Sequence, residues 1–259
     1  MYIMKCLNYT NLLFVLQVIF STGLPSHQPL YQPCHFDKTS SLNILASFGT
    51  KNQYSLPWRV TNDPVMGGES TGKFNSSDNT GRFSGKIVNV PSLKTAGFSK
   101  LSSGVPKLSF PDIGTYLDGN LTFCLKSNSS YRGFKVSFLA KGIPRISIYS
   151  KGSFKAPFHI PVNNGNTWEL VDIPFNRFSY DWSAYTGSCN TTDPNGRVHH
   201  CCHSSDGGKY CPNTKYLNSL TGFEVWAEGV NGVYDVELAW IGVLDRSFNQ
   251  WRCLLDEIF

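Results

Sequence analysis

An alternation of apolar and polar residues, repeated in many short segments, constrains the fold of this chain more than any other feature. In residues 119–126 and 133–140 almost every second residue is Leu, Val or Phe. The alternation is clearest in residues 233–243. Its apolar positions there are Tyr234, Val236, Leu238 and Trp240. A period of two residues is typical of a β-strand with one face on a core and the other toward water.

Further segments of the same kind bring the total to at least nine or ten predicted strands. They are residues 42–48, 57–60, 81–90, 96–101, 145–150, 167–175 and 222–229. No sustained helical period of about 3.6 residues precedes the C-terminal tail, so only a short helix or turn is predicted, in residues 214–222. The pattern predicts an all-β sandwich with jelly-roll or Greek-key connections, in one domain over residues 36–245.

The first 26 residues have the organisation of a secretory signal peptide. Lys5 is followed by an apolar run at residues 12–20 and then by small and turn-forming residues. The run is about half the length needed to span a bilayer, which is roughly 20 residues. We therefore expect secretion, or residence in the secretory pathway rather than in mitochondria, and no membrane span after cleavage. Residues 27–35 are expected to form an N-terminal extension and residues 246–259 a C-terminal tail.

Cysteine usage also indicates an oxidising compartment. Cys6 would leave with the signal peptide, and the other cysteines would remain in the mature chain. These are Cys34, Cys124, Cys189, Cys201, Cys202, Cys211 and Cys253. Most are expected to form disulfides, and their odd number leaves one thiol free or paired between chains. Four of them lie in a long polar segment, residues 183–216, which is predicted to be a disulfide-rich insertion.

Adjacent cysteines limit the pairing within this insertion. A bridge between Cys201 and Cys202 would be strained, so each is expected to pair with Cys189 or Cys211. Which of the two pairs with which is left open by the sequence.

Three histidines, His199, His200 and His203, lie in the same insertion. Histidine and cysteine together are the residue types of tetrahedral zinc sites. The segment lacks the C-x2-C spacing of a zinc knuckle, so the sequence predicts disulfides, no bound metal and no particular role for these histidines. No cofactor is predicted for the chain.

Four N-x-S/T sequons are consistent with secretion. They lie at Asn75, Asn120, Asn128 and Asn190. Asn120 begins a predicted strand, so it is the site least expected to carry a glycan.

Residues 68–72 match the G-x-S-x-G motif of serine hydrolases, with Ser70 in the position of the nucleophile. That motif requires a helix directly after the serine, and residues 73–83 are too polar and too rich in turn formers to supply one. The histidines nearest in sequence also have no recognisable catalytic setting. Ser70 is therefore predicted to begin a strand and not to act as a nucleophile.

The glycines before this serine, Gly67 and Gly68, are predicted to meet the conformational needs of a bend between strands. They lack the spacing and the lysine of a phosphate-binding loop. Asn62 and Asp63 are expected to hydrogen-bond their own backbone, and Met66 to serve as an apolar contact of the bend.

Aromatic residues point to a carbohydrate ligand, because sugar rings stack on Trp and Tyr. The candidates are Trp58, Tyr180, Trp182, Tyr185 and Trp226, with Asn62 and Asp63 as polar partners. Trp226 is expected on the strand face opposite to the core, with Glu224 and Glu228. The competing interpretation is that tryptophans in a β domain mostly belong to the core.

The order of these pieces resembles the complex I intermediate-associated protein 30 family. Residues 62–70 contain its V-M-G-G-x-S signature after an Asn-Asp pair, and residues 81–87, 96–101 and 220–243 are similar to its later strands. The family positions are Trp58, Asn62, Asp63, Met66, Gly67, Gly68, Ser70, Gly97 and Phe98. The resemblance covers roughly residues 40–245 and implies a galactose-binding-like jelly roll.

There are departures from the family pattern. Ala96 replaces a glycine, Leu101 lies near a frequent arginine, and the Cys-rich insertion is absent from the mitochondrial members, although a secreted-looking subgroup is similar in having one. The mitochondrial role, chaperoning of complex I assembly, is implied less strongly than the fold.

These observations predict a secreted, non-catalytic binding module whose ligand is a glycan or another protein. The formal net charge of +5 is spread over isolated residues, so nucleic acid is not a predicted partner. By analogy of fold, the ligand would bind loops at one end of the sandwich, either the bend at residues 62–70 or the insertion. The alternatives are an assembly factor that binds a folding protein and, less favoured, a glycan hydrolase or esterase.

Overall fold

The computed structural model describes Cys34 and residues 42–244, except for 52, 64–66, 94, 105–108, 147–151 and 162–166. Thirteen β-strands and one short α-helix lie in these ranges. The strands are β1 (Leu42–Ser47), β2 (Trp58–Asn62), β3 (Thr71–Ser76), β4 (Gly81–Ile87), β5 (Asn89–Val90), β6 (Thr95–Ala96), β7 (Phe98–Ser103), β8 (Asn120–Lys126), β9 (Phe134–Ala140), β10 (Ser153–Pro157), β11 (Glu169–Pro174), β12 (Leu220–Glu228) and β13 (Gly232–Leu244). The predicted signal peptide, most of the predicted strand at 145–150, and the tail with Cys253 lie outside the described residues.

Two antiparallel sheets pack face to face. The first sheet has the order β11-β8-β13-β4-β3, and β1 also pairs with β13. The second sheet has the order β10-β9-β12-β7-β2, and β5 pairs with β6 alone. Strands that are neighbours in a sheet are mostly far apart in sequence, as in a jelly roll. The predicted all-β sandwich is confirmed.

The core between the sheets is formed by the apolar positions of the alternating pattern. Leu121, Phe123 and Leu125 of β8 are fully buried. Phe138 of β9 packs against the rings of three further phenylalanines. The predicted strand faces are confirmed in both strands.

One predicted face is wrong, that of Trp240 in β13. The pairing of β13 with β8 shifts between Leu238 and Trp240, which is a β-bulge. The extra residue turns Trp240 to the outer side, where it packs in a small cluster with the Cys34–Cys124 disulfide. Ile241 then takes the core position.

Two strands are missing from the prediction. β3 carries Phe74 as its one large apolar residue and lies at the edge of its sheet, so its alternation is weak. β10 is short, ends at Pro157 and also forms an edge.

The predicted short helix is present as α1 (Thr214–Leu217). The Asn213 side chain caps it by accepting a hydrogen bond from the backbone N–H of Tyr216. Within the described ranges, no helix has the length and apolar character that a membrane crossing requires.

Candidate ligand-binding site

The bend after β2 is organised around Asp63, a buried carboxylate. Its Oδ1 accepts a hydrogen bond from the backbone N–H of Ser70 at 3.0 Å, and its Oδ2 accepts one from the N–H of Phe98 at 3.1 Å. Asp63 therefore joins the bend to the start of β7, and does not serve only its own turn as expected. The Asn62 side chain donates to the carbonyl of Gly72 at 3.3 Å.

Glycine is required around this carboxylate for space. A Cβ on Gly97 or on Gly68 would overlap the carboxylate of Asp63. Gly67 has open space but a φ of 75°, in the left-handed region that favours glycine. Met66 lies outside the described residues.

Ser70 is held in place on all sides. It is fully buried, and its hydroxyl accepts a hydrogen bond from the N–H of Val88 at 3.1 Å and donates to the Val88 carbonyl at 3.4 Å. β3 begins at the next residue. These hydrogen bonds give the Ser70 hydroxyl a structural role, which is to hold the bend against the backbone of Val88.

Trp58 also lies within the packing of the sandwich. Its ring stacks on Phe48, with centroids 4.3 Å apart, and its Nε1 donates to the Ser47 carbonyl at 2.9 Å. It does not present a free ring for stacking.

Trp226 lies on the predicted face of β12 with Glu224 and Glu228, but this face is covered. Trp226 is only 7% exposed and Trp182 only 3%. The two rings enclose Lys155, whose Nζ lies 3.5 Å from the Trp226 ring centroid and 3.7 Å from that of Trp182. Neither tryptophan is available as an exposed platform, which agrees with the competing interpretation that tryptophans in a β domain are mostly covered.

We call this outer surface of the second sheet the covered face. It consists of Lys100, Lys135, Ser137, Lys155, Glu224, Trp226 and Glu228. Lys155 donates to Glu228 at 2.7 Å, and Lys100 to Glu224 at 2.8 Å. Burial lowers the pKa of Lys155 to about 8, although the Glu228 carboxylate opposes the shift.

The start of the insertion covers this face. Trp182 donates from Nε1 to the Ser153 carbonyl at 3.1 Å, and the Tyr185 carbonyl accepts a hydrogen bond from Thr95 at 3.2 Å. Gly187 sits so close to Glu228 that a side chain there would meet its carboxylate. Tyr185 itself is half-buried.

Two disulfides brace the rest of the insertion. Cys189 pairs with Cys201, and Cys202 pairs with Cys211. The expected pairing of each adjacent cysteine with Cys189 or Cys211 is confirmed, and the structure settles which pairs with which. Each such short loop contributes about 2–4 kcal/mol by restricting the unfolded chain.

His199 was expected to have no particular role, and that expectation is wrong. Its ring is buried between two carboxylates, with Nδ1 2.9 Å from Asp181 and Nε2 2.8 Å from Asp193. Ser183 donates to Asp193, and Asp181 also accepts from the His200 backbone N–H at 3.1 Å. These contacts fix the first half of the insertion from within.

The other histidines are exposed. His203 caps a short 3-10 helix, Ser204–Asp206, by accepting from the Ser205 N–H. His200 stacks on Tyr210, with ring centroids 5.0 Å apart. Tyr210 in turn contacts Tyr180 at 5.6 Å. In the part of the chain that the structure describes, no group of three or more potential ligands could hold a metal ion.

A cavity of about 570 Å³ lies where the second half of the insertion meets the sandwich. Its apolar lining includes Leu117, Phe175, Pro212 and the Cys202–Cys211 disulfide. Its polar lining includes Asp118, Asn176, His203 and Ser204. An apolar floor with a few polar groups is the usual construction of a small-molecule site, and such sites measure roughly 300–1,000 Å³. The sequence indicated the insertion but not these partners, because Asp118 belongs to the β7–β8 connection and Asn176 precedes the insertion.

The four sequons differ in their surroundings. Asn75, Asn128 and Asn190 are exposed. Asn120 is 9% exposed, and the hydroxyl of Thr122, its sequon threonine, is buried and donates to Asp172 at 2.6 Å.

Comparison with known families identifies the class of β-sandwich domain to which this sandwich and its Asp63-centred bend belong. Residues 46–193, more than half of the chain, match the model of the family described as Complex I intermediate-associated protein 30 (CIA30). The chain belongs to this family. The match begins in β1 and ends within the insertion.

Curated relatives are more distant. The proteins named Glycolate oxidase 3 from Oryza sativa subsp. indica and subsp. japonica are each 23% identical over 158 residues. The aligned region is 60% of this chain and 39% of each relative, so the chain spans about two-fifths of the length of these relatives.

Solved structures with a similar arrangement include the family 11 carbohydrate-binding module of the cellulosomal cellulase Lic26A-Cel5E of Clostridium thermocellum. It is 14% identical, with a TM-score of 0.44, over 78% of this chain and 94% of that module. The family 11 module from the same organism in complex with a β-1,3-1,4-mixed-linked tetrasaccharide is 15% identical, with a TM-score of 0.42, over 76% and 94% of the two chains.

Proposed function

We propose that this protein is a secreted, non-catalytic module that binds a glycan in the cavity between the insertion and the sandwich. The cavity, at about 570 Å³, is the observation that carries the proposal. Its size lies within the range of roughly 300–1,000 Å³ that is usual for small-molecule sites, and the rest of the glycan would extend into solvent. A protein ligand is the competing outcome of the test.

The lining of the cavity suits a sugar. Asp118, Asn176 and Ser204 offer acceptors and donors for hydroxyl groups. Leu117 and Pro212 offer apolar contacts for the C–H face of the ring. A site of this kind gives orientation through a few polar groups and affinity through apolar contact.

The insertion is organised before any ligand arrives. The Cys202–Cys211 disulfide lies in the cavity wall, and the His199 contacts hold the preceding segment. A site that is already ordered loses less conformational entropy on binding.

Secretion is supported by the disulfides. Cys34–Cys124, Cys189–Cys201 and Cys202–Cys211 would persist only in an oxidising compartment. The Cys34–Cys124 disulfide reaches β8 of the sandwich. It therefore favours folding of the whole domain, and not of the insertion alone, in an oxidising compartment.

A non-catalytic function is supported by the surroundings of Ser70 and His199, the two residues whose types most suggest catalysis. The Ser70 hydroxyl is fully engaged with Val88. His199 is buried with both ring nitrogens on carboxylates, so it has no free nitrogen to accept a proton from a substrate.

A glycan array probed with the secreted, glycosylated protein tests the proposal. Asp118→Asn, Asn176→Ala and Ser204→Ala should each weaken binding of the recognised glycan roughly 10-fold, the cost of about one hydrogen bond to a sugar. Asn231→Ala is the matched control, because Asn231 is exposed at the β12–β13 turn, away from the cavity. Binding to no glycan, or binding that survives all three cavity substitutions, would reject the proposal.

The family match favours a second candidate, an assembly factor that binds a folding protein. Localisation separates the two functions. A C-terminally tagged protein should be found in the secretory pathway or the medium if the glycan proposal holds. Import into mitochondria, with the cysteines reduced, would support the assembly role instead.

A further inference from the structure

The covered face contains more cationic groups than anionic ones. Lys100 is paired with Glu224, and Lys155 with Glu228. The third lysine, Lys135, is 5% exposed and has no carboxylate of its own. Across the described ranges its one hydrogen-bond partner is the backbone carbonyl of Glu228, at 3.3 Å.

A second group with unmet hydrogen-bonding capacity adjoins it. Ser137 lies two residues further along β9, on the same side of the strand. Its side chain is fully buried, and its Oγ has no hydrogen-bond partner within the described part of the chain. Across the sheet, Ser137 is paired with Lys155 of β10 and with Glu224 of β12, so it faces into the charged cluster.

A buried ammonium group without an anion is unfavourable. Burial lowers the pKa of Lys135, and the Glu228 carboxylate, which Lys155 already holds, opposes the shift only in part. An anion with two or more acceptor oxygens would satisfy both groups at once. Lys135 would donate to one oxygen and the Ser137 hydroxyl to another.

We propose that the covered face is a closed binding site for the carboxylate of an acidic sugar, such as a uronic acid. Lys135 and Ser137 would bind the carboxylate. The choice of a sugar as carrier of the carboxylate rests on the proposed function. The anion site itself rests on the unpaired groups.

Access requires movement of residues 182–187, which we call the strap. Two hydrogen bonds join it to the sandwich, from Trp182 to the Ser153 carbonyl and from Thr95 to the Tyr185 carbonyl. Within the strap, the Ser183 hydroxyl accepts from the N–H groups of Tyr185 and Thr186. The strap also packs on the covered face, with Trp182 against Lys155 and Gly187 against Glu228. Opening the site requires the strap to leave these contacts, so its closed state reduces the apparent affinity of the site.

Thermal unfolding of the secreted protein with D-glucuronate or D-glucose tests the site. Glucuronate at tenfold excess over its Kd should raise the melting temperature by about 3 °C, and glucose should not. Lys135→Met should abolish the shift while the variant still folds, because it removes a buried cation. Lys141→Met, at an exposed lysine just beyond β9, is the control and should keep the full shift.

A second variant tests the strap. Thr95→Val removes one of the two hydrogen bonds between the strap and the sandwich, and should increase the affinity for glucuronate about fivefold by favouring the open state. An equal shift with glucose, a shift that survives Lys135→Met, or the absence of a shift with glucuronate in both the wild type and Thr95→Val would overturn the proposal. Asn176→Ala in the cavity should leave the glucuronate shift intact, so failure of one site is distinguishable from failure of the other.

Discussion

At the scale of single residues, Asp63 explains the family motif better than any catalytic interpretation of Ser70. One carboxylate accepts two backbone N–H groups, one from the bend and one from β7. The glycines at 68 and 97 leave the volume that this carboxylate fills. The motif therefore connects two parts of the sandwich. Its serine adds a further connection, because the Ser70 hydroxyl accepts a hydrogen bond from the N–H of Val88.

Gly97→Ala should be the most damaging small substitution in the motif. The added methyl group would displace the Asp63 carboxylate and leave the N–H groups of Ser70 and Phe98 without partners, at a cost of about 3 kcal/mol in the free energy of unfolding. Ser70→Ala should cost about 1 kcal/mol, because only the contact with Val88 is lost. Urea unfolding measures both, and a Gly97→Ala variant as stable as the wild type would contradict this role of Asp63.

Lys155 gives the stability a defined pH dependence. Its pKa is about 8 in the folded protein and 10.5 when unperturbed, so between these values the unfolded chain binds more protons. Stability therefore rises with pH across this window, by up to about 3 kcal/mol for a shift of this size. The free energy of unfolding should be measured from pH 7 to 10 for the wild type and for Lys155→Met. The difference between the two proteins at each pH gives the contribution of Lys155. A difference that stays constant with pH would show that Lys155 titrates normally.

At the scale of elements, the alternating pattern was sufficient for the strands that form the middle of each sheet. β8, β9, β12 and β13 carry large apolar residues at every second position, and burial enforces that register. The edge strands β3 and β10 were missed because an edge needs less apolar surface. The bulge in β13 was missed because residues 238–244, where it lies, include no polar side chain that would mark a change of face.

The insertion was predicted as a disulfide-rich segment, but its internal support was not. Sequence spacing does not reveal that the side chain of His199 contacts those of Asp181 and Asp193, because this contact depends on the path of the loop. The cavity could not be foreseen for the same reason, because its residues converge from three separate segments of the chain, at residues 117–118, 175–176 and 202–212. The strand pattern placed Trp226 on the correct face, but it left open whether that face is covered, because it does not indicate what lies over it.

His199→Phe should loosen the insertion and leave the sandwich folded. The substitution leaves the carboxylates of Asp181 and Asp193 facing each other without the histidine that bridges them. Cleavage by trypsin after Arg197 should accelerate at least tenfold, which corresponds to about 1.4 kcal/mol of local opening. His159→Phe, at an exposed position outside the insertion, is the control. Equal cleavage rates in the two variants would mean that the disulfides alone hold the loop.

At the scale of the whole molecule, the two sides of the sandwich differ in what covers them. The outer side of the second sheet is covered by the strap, with Trp182 against Lys155 and Gly187 against Glu228. The outer side of the first sheet carries the exposed Asn75 on β3 and has Asn128 just beyond β8. Glycans at these positions would leave the end that bears the cavity as the surface for recognition.

Secretion should be accompanied by glycans at Asn75, Asn128 and Asn190 and by none at Asn120. The first three side chains are exposed, whereas Asn120 is mostly buried and its sequon threonine is hydrogen-bonded to Asp172. Enzymatic deglycosylation in heavy water, followed by peptide mass spectrometry, marks each occupied asparagine. A glycan on Asn120 in the folded, secreted protein would contradict the position of β8.

The central claim is that a glycan binds in the cavity beside the insertion. Hydrogen exchange with and without the glycan selected from the array tests it most directly, because protection maps the site without altering any residue. We expect the glycan to slow amide exchange in residues 202–212 and in the short 3-10 helix Phe175–Arg177. Exchange in the bend at residues 62–70 should be unchanged. Protection confined to that bend, or to the outer side of the first sheet, would contradict the claim.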